Sequence, residues 1–139
     1  MKLQDIMTRD IQWIGPETSI HETAQLMQSH DVGFLPVGDA NNPLGVITDR
    51  DIVVRAIAED MDPESAKAQD IMSTDLLTLP QDCTVEEAAQ VMEDRQVRRL
   101  LVEDAKHQIV GVLSLGDLAF RTHDQRLSGE ALERVSSHV

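Results

Sequence analysis

Hydrophobic and polar positions follow the same order twice along this chain, which predicts two copies of one small unit. Short apolar runs at residues 11–14 and 76–79 indicate a first strand in each copy. Each run leads to a Ser/Thr-x-x-Glu segment, at Ser19 and at Thr84, and this pattern is typical of a helix N-terminus. Each copy is therefore predicted to open with a short strand followed by a helix.

The first helix of each copy has an apolar face at helical spacing. That face is predicted to be buried and consists of Ile20, Ala24 and Met27 in the first copy and Val85, Ala88, Ala89 and Met92 in the second.

The second half of each copy reads as a β-hairpin followed by another helix. In the first copy residues 34–37 are predicted to pair with residues 44–48 across a turn-rich segment. The matching strands of the second copy are residues 99–103 and 109–114, and the second helices begin after Thr48 and Ser114. Beyond them, residues 125–139 are predicted to form a short amphipathic helix broken at Ser128 and Gly129.

The repeat is also visible in the residues themselves. Gln-Asp-Ile-Met-Thr at residues 4–8 returns 65 residues later as Gln-Asp-Ile-Met-Ser, and a Gly-aliphatic-aliphatic-Thr/Ser-x-x-Asp run ends at Asp51 and at Asp117. The predicted fold class is α/β (α+β), with two tandem β-α-β-β-α units packed about a pseudo-two-fold axis and a ligand cleft between them. The predicted boundaries are unit 1 at residues 3–60, a linker at 61–68, unit 2 at 69–124 and a tail at 125–139.

Composition narrows the function. The 139 residues carry 12 Lys+Arg against 25 Asp+Glu, a net charge of −13, which disfavours binding to nucleic acid and to anionic membranes. The sequence has no apolar stretch of membrane-spanning length and no apolar signal region at its start. The single cysteine, Cys83, excludes an intrachain disulfide. We therefore expect a cytoplasmic protein.

These features together resemble the cystathionine-beta-synthase (CBS) domain family, present as a tandem pair over residues 3–123. The resemblance rests on the Asp-Ile-Met openings, the Val-Gly-Phe-Leu-Pro-Val segment at residues 32–37, and the doubled Gly-x-x-Thr/Ser-x-x-Asp run. It implies a regulatory, non-enzymatic module that binds adenine nucleotides or related ligands and often dimerises into a four-domain disc. No cofactor is required, and the implied bound ligands are AMP, ADP, ATP or S-adenosylmethionine.

The resemblance also implies two ligand sites, each shared between the copies. In both, the Thr/Ser hydroxyl and the Asp carboxylate hold ribose and phosphate, and residues around the first strand and the hairpin hold adenine. Site 1 consists of Thr8, Ile11, Gln12, Val32, Gly33, Arg99, Ser114 and Asp117. Site 2 consists of Thr48, Arg50, Asp51, Ser73, Leu76, Leu77, Val97 and Arg98.

The two sites differ at the position that often meets phosphate. Site 1 has Arg99 there, whereas site 2 has Phe34 at the equivalent position and so lacks the positive charge. Arg50 or Arg98 could replace the missing charge in site 2. The Ser114 and Asp117 site is therefore expected to bind a phosphorylated ligand more tightly.

Simpler interpretations stay open beside these. Ser/Thr-x-x-Asp is by itself a helix-capping motif, and a helix N-terminus that is capped can still bind phosphate. Of the adjacent Arg98 and Arg99, one is expected on each face of the strand. Asp49 and Asp51 have no evident third metal ligand, so no metal site is predicted. The helix dipole could lower the pKa of Cys83, but a plain semi-buried thiol is the expected state.

Two functions of different classes follow. The first is a stand-alone sensor that binds an adenosyl ligand in the cleft, forms a homodimer and signals to a regulated protein partner. The second is a dimeric interaction scaffold that binds no nucleotide. Neither involves nucleic acid or a membrane, and the absence of a recognisable nucleophile motif disfavours an enzyme.

Overall fold

The computed structural model describes residues 1–121 and 125–135, which divide into two compact units. The central unit is Gln12–Leu76, and the split unit combines Met1–Ile11 with the chain from Leu77 onward. In chain order the elements are α1 (Leu3–Ile6), α2 (Ile20–His30), β1 (Phe34–Gly38), β2 (Pro43–Thr48), α3 (Asp49–Asp51) with a π-helix (Ile52–Ile57), α4 (Ala68–Ile71), β3 (Thr78–Pro80), α5 (Val85–Arg95), β4 (Arg99–Glu103), β5 (Ile109–Ser114), α6 (Leu115–Arg121) and α7 (Gln125–Val135).

Both predicted hairpins are present. In the central unit β1 and β2 pair antiparallel, with Phe34 opposite Thr48. In the split unit β4 and β5 pair the same way, with Arg99 opposite Ser114, and β3 adds a parallel strand beside β4. Because these registers match, each unit carries its second helix directly after the same strand position.

The first strands are shorter than predicted. Residues 11–14 form no regular strand, and only Ile14 makes a bridge, with its N–H donating to Pro36 O at 3.1 Å and its carbonyl accepting from Gly38 N at 2.8 Å. The second copy's strand spans Thr78–Pro80 instead of residues 76–79. Both strands differ from the prediction because backbone hydrogen bonds form only where the segment lies next to the hairpin of its unit.

The short opening of each sequence copy belongs to the unit built mainly from the other copy. α1 lies in the split unit, where Leu3 and Ile6 are fully buried with Val85 and Leu113. Residues 68–76 lie in the central unit, where Ile71 is buried in the core. The compact units and the sequence copies are therefore divided at different points.

The equivalent helices α2 and α5 differ in which of their residues are buried. The predicted face of α5 is buried, whereas in α2 the buried residues are Ile20, Thr23 and Met27, and Ala24 is exposed. In the split unit α7 packs against α5 and α6 on the side where Ala89 is buried, whereas the described part of the central unit has no helix corresponding to α7.

The tail helix differs from its prediction. α7 runs without interruption from Gln125 to Val135, so the break expected at Ser128 and Gly129 does not occur. Burial of Ala131 and Val135 against the core of the split unit stabilises a helix that local propensity alone disfavours. Residues 136–139 of the predicted tail lie outside the described residues.

Candidate functional site

The Thr/Ser-x-x-Asp pairs form reciprocal capping boxes at the starts of the second helices. In the split unit Asp117 N donates to Ser114 Oγ at 3.1 Å, and Ser114 N donates to Asp117 Oδ2 at 2.9 Å. In the central unit the Thr48 and Asp51 bonds have the same lengths. Each hydroxyl oxygen is used as an acceptor, which leaves its O–H hydrogen to donate.

The other two Ser/Thr-x-x-Glu segments are simpler caps. Ser19 Oγ accepts from Glu22 N at 3.0 Å, and Thr84 Oγ1 accepts from Glu87 N at 3.2 Å. The return bond of a full box is not formed among the described residues at either helix, and the Glu87 carboxylate instead accepts a bond from the Cys83 thiol at 3.3 Å. The full reciprocal box is thus found at both candidate ligand pairs.

A second hydroxyl lies beside each box. Thr8 exchanges two backbone hydrogen bonds of 2.9 Å with Val112, two residues before Ser114 on β5. Ser73 exchanges equivalent bonds with Val46, two residues before Thr48. Because side chains two apart on a strand share a face, each unit gathers two hydroxyls and a carboxylate on one side.

The units differ at the residue across from each box. Arg99 is the cross-strand partner of Ser114, and cross-strand partners share a face, so the Arg99 side chain leaves the sheet on the same face as Ser114. Phe34 occupies the same place opposite Thr48. The split unit therefore offers a positive group where the central unit offers a phenyl ring.

Asp49, considered from the sequence only as a metal ligand, strengthens this asymmetry. Its N–H donates to Gly33 O at 2.9 Å, and its carboxylate oxygen lies 2.7 Å from where a Cβ on Gly33 would be. In the split unit the corresponding bond joins Leu115 N to Arg98 O at 2.8 Å. Aligning the two copies reveals this acid-for-leucine difference directly.

In the central unit the Asp51 carboxylate is further engaged. Its second oxygen lies 3.7 Å from Arg55 Nε, and Arg55 Nη1 also donates to Ile71 O at 3.3 Å. Arg50 is exposed, and its backbone N–H donates to the Asp49 carboxylate at 2.9 Å. Both oxygens of Asp51 are thus committed to groups of the protein.

The structure divides each predicted site between the units. Of the site 1 residues, the split unit holds Thr8, Ile11, Arg99, Ser114 and Asp117, and the central unit holds Gln12, Val32 and Gly33. Of the site 2 residues, the central unit holds Thr48, Arg50, Asp51, Ser73 and Leu76, and the split unit holds Leu77, Val97 and Arg98. Within each unit the hydroxyl, carboxylate and cross-strand residues come together, as described above.

The surroundings of Cys83 disfavour a reactive thiolate. Burial, the hydrogen bond to Glu87 and the charge of that carboxylate raise the pKa of Cys83 to about 11, which outweighs any lowering at the helix start. Within residues 1–121 and 125–135, no three His, Cys, Asp or Glu side chains are grouped to hold a metal ion. In the same ranges no helix is long and apolar enough to span a membrane.

Comparison with known proteins agrees with this architecture. The profile of the CBS domain family matches residues 3–57 and 68–123. CBS domain-containing protein YhcV of Bacillus subtilis is 35% identical over 134 residues, which cover 96% of this chain and 94% of YhcV. The chain therefore belongs to the CBS domain family, and it carries the domain as a tandem pair.

Two solved structures have the same fold. Hypoxic Response Protein I, described with two coordinated zinc ions, has a TM-score of 0.76 and 33% identity, with 87% of this chain and 98% of that chain covered. CBSX2 in complex with AMP has a TM-score of 0.71 and 26% identity, with 85% and 93% covered. A CBS-pair protein of this kind is a regulatory module and not an enzyme.

Proposed function

We propose that this protein binds an adenine nucleotide or a related adenosyl ligand and passes the bound state to a protein partner. The observation that carries the proposal is the grouping of Thr8, Arg99, Ser114 and Asp117 on one side of the split unit. Binding of AMP by CBSX2, a relative of 26% identity, supports the choice of ligand.

The chemistry of this grouping suits a nucleoside phosphate. A carboxylate next to a hydroxyl accepts and donates hydrogen bonds to a ribose diol, and the guanidinium binds phosphate with two parallel bonds. Gln12, Val32 and Gly33 stay predicted adenine contacts, and Val32 presents an apolar side chain that is 41% exposed.

The Ser114 and Asp117 site is proposed to be the tighter of the two for phosphorylated ligands. The central unit has Phe34 in place of Arg99 and adds the Asp49 carboxylate, so its local charge opposes a phosphate. Arg50 offsets this only in part because its side chain is exposed to solvent, where salt screens its charge. Site 2 is proposed to accept the same ligands more weakly.

A ligand panel tests the function. We expect AMP, ADP, ATP, S-adenosylmethionine or NAD to raise the melting temperature, because a ligand that binds only the folded state stabilises it. Asp117→Ala should abolish most of this shift. Thr84→Ala is the matched control, since it removes a helix cap where no ligand is proposed. Absence of a shift with every ligand would favour the scaffold function instead.

The ranking of the sites has its own test. Titration with AMP should lose the tighter binding event in Asp117→Ala and only the weaker one in Asp51→Ala. Loss confined to the Asp51 variant would reverse the ranking.

Signalling requires that the ligand favour one conformation or assembly over another. We propose that a partner protein reads this difference in the cytoplasm and that the protein acts as a homodimer. Light scattering with and without AMP, followed by partner capture in both states, tests this step. Identical assembly and identical capture in both states would contradict it.

A further inference from the structure

One carboxylate oxygen of Asp49 has no partner within the described residues 1–121 and 125–135. The Oδ1 atom accepts the backbone N–H of Arg50 at 2.9 Å, as an acid in the first turn of a helix often does. The Oδ2 atom accepts no hydrogen bond from these residues. Asp49 is exposed at the start of α3, so it keeps an acceptor for a group from outside the protein.

The Asp49 carboxylate lies against the backbone of Gly33. A Cβ on Gly33 would lie 2.7 Å from Oδ2, 3.0 Å from Cγ and 3.3 Å from Oδ1 of Asp49, so the carboxylate occupies the space that a side chain would need. The Asp49 N–H donates to Gly33 O at 2.9 Å, which holds the two residues side by side. Glycine at position 33 is therefore what allows the carboxylate to lie there.

The residues beside this carboxylate form an open and weakly polar surface. Gly33 has no side chain, and Val32, the residue before it, is 41% exposed. Both belong to the central unit, as does Asp49. A planar ring that rests on such a surface meets the carboxylate with the substituents at its edge. Because a carboxylate accepts hydrogen bonds and never donates them, it favours an amino substituent and opposes a carbonyl oxygen.

The internal repeat shows that the fold does not require an acid at this position. In the split unit Leu115 stands in place of Asp49 and is only 8% exposed. Arg98 stands there in place of Gly33. The backbone bond between the two positions is nevertheless kept, with Leu115 N donating to Arg98 O at 2.8 Å. The carboxylate is thus an addition of the central unit to a framework that both units share.

We propose that Asp49 determines the base specificity of the ligand site by accepting a hydrogen bond from the 6-amino group of adenine. This inference rests on the proposed function, in which adenine contacts Val32 and Gly33. Adenine carries an amino group at its 6-position, whereas guanine and hypoxanthine carry an oxygen acceptor there. Beside Asp49 the amine gains a charge-assisted hydrogen bond, and the oxygen of a 6-oxopurine meets a negative group. The site therefore selects adenine nucleotides against 6-oxopurine nucleotides.

Calorimetric titration of the full chain with adenosine and inosine, and with AMP and IMP, tests the proposal. Each pair differs only at the 6-position and the adjacent ring nitrogen. The wild type should bind the adenine member about 10- to 100-fold more tightly. Asp49→Asn should lose this preference. Its amide oxygen can keep the Arg50 N–H bond, and its NH2 group then stands where Oδ2 was and donates to a 6-oxo group.

Gly33→Ala gives a second variant, in which the net charge is unchanged. Its methyl group needs the space of the Asp49 carboxylate, so the acid is kept but displaced, and the preference for adenosine should fall at least about threefold. Asp60→Asn is the matched control. It also removes one exposed acid of the central unit, at a left-handed position that asparagine tolerates, and should keep the wild-type preference.

The results distinguish this inference from the proposed function. Equal affinity of the wild type for adenosine and inosine, and for AMP and IMP, would overturn the role of Asp49 and leave nucleotide binding intact. A preference that survives both Asp49→Asn and Gly33→Ala would overturn it as well. If the wild type binds none of the four ligands, the proposed function is contradicted, and this inference with it.

Discussion

At Gly45 and Gly111 a side chain would collide with the chain segment packed against the strand. A Cβ on Gly45 would lie 2.7 Å from the Ser73 carbonyl oxygen, and one on Gly111 would lie 2.8 Å from Met7 Cγ. The repeated glycine and the repeated Asp-Ile-Met opening therefore reflect one contact, made once in each unit. The sequence reveals both motifs, but the partner of each glycine comes from the other copy and is visible only in the fold.

Gly111→Ala should lower the free energy of unfolding by about 1–3 kcal/mol, because the buried Met7 side chain must shift to admit the methyl group. Gly129→Ala is the control, since nothing lies within 4 Å of a Cβ there and alanine is the better helix former. The free energy of unfolding of the Gly129→Ala variant should rise by up to about 1 kcal/mol. Urea unfolding measures both, and a Gly111 variant as stable as the wild type would contradict the contact.

Cys83 should react slowly with iodoacetamide at pH 8, because its pKa is raised to about 11 by burial and by Glu87. Glu87→Gln should accelerate the reaction, and protein unfolded in urea should react fastest. Since the folded pKa exceeds the unfolded value of 9.0, stability should fall as the pH rises from 9 to 11. A folded protein that reacts as fast as the unfolded chain would refute this environment.

At the scale of elements, matching segments of the two copies acquire different surroundings. α2 and α5 share their length and the type of N-terminal cap, and both hairpins pair the predicted segments. Periodicity predicts these elements because it reports which side faces a core. It does not reveal that α7 packs on α5, so Ala24 and Ala89 appear equivalent in sequence and differ in burial.

Ala131→Asp should strongly destabilise the split unit, because it places an unpaired carboxylate where the side chain is 4% exposed. Leu132→Asp, at a neighbouring residue that is 51% exposed, should change stability by no more than about 0.5 kcal/mol. Thermal unfolding followed by circular dichroism compares them. Equal melting temperatures would show that α7 does not contribute to the core.

At the scale of the whole molecule, the repeat predicts the fold class but not the division into compact units. Local sequence patterns specify the helices and strands. The packing of each copy's opening segment in the unit built mainly from the other copy is a long-range contact that no local pattern encodes. For the candidate site, the Thr/Ser and Asp pairs and the contrast between Arg99 and Phe34 are readable in the sequence. The backbone pairing of Thr8 with Val112 and the position of Asp49 beside Gly33 required the structure.

This division predicts which fragment folds. Residues 12–76 contain the whole central unit and should unfold cooperatively in urea. Residues 3–60 correspond to the first sequence copy but lack Ala68, Ile71 and the Ser73 pairing, so they should not. Cooperative unfolding of fragment 3–60 would contradict the assignment of the opening segments to these units. So would the absence of cooperative unfolding in fragment 12–76.

The proposal that the protein senses a nucleotide rests on the phosphate-binding role of Arg99 beside the Ser114 and Asp117 box. Calorimetric titration of the wild type and Arg99→Phe with AMP and adenosine tests it most directly, since the variant copies the arrangement at Phe34. We predict that the wild type prefers AMP and that the variant loses about 10- to 100-fold in AMP affinity with little change for adenosine. No AMP binding by the wild type, or an equal loss for both ligands, would contradict the account.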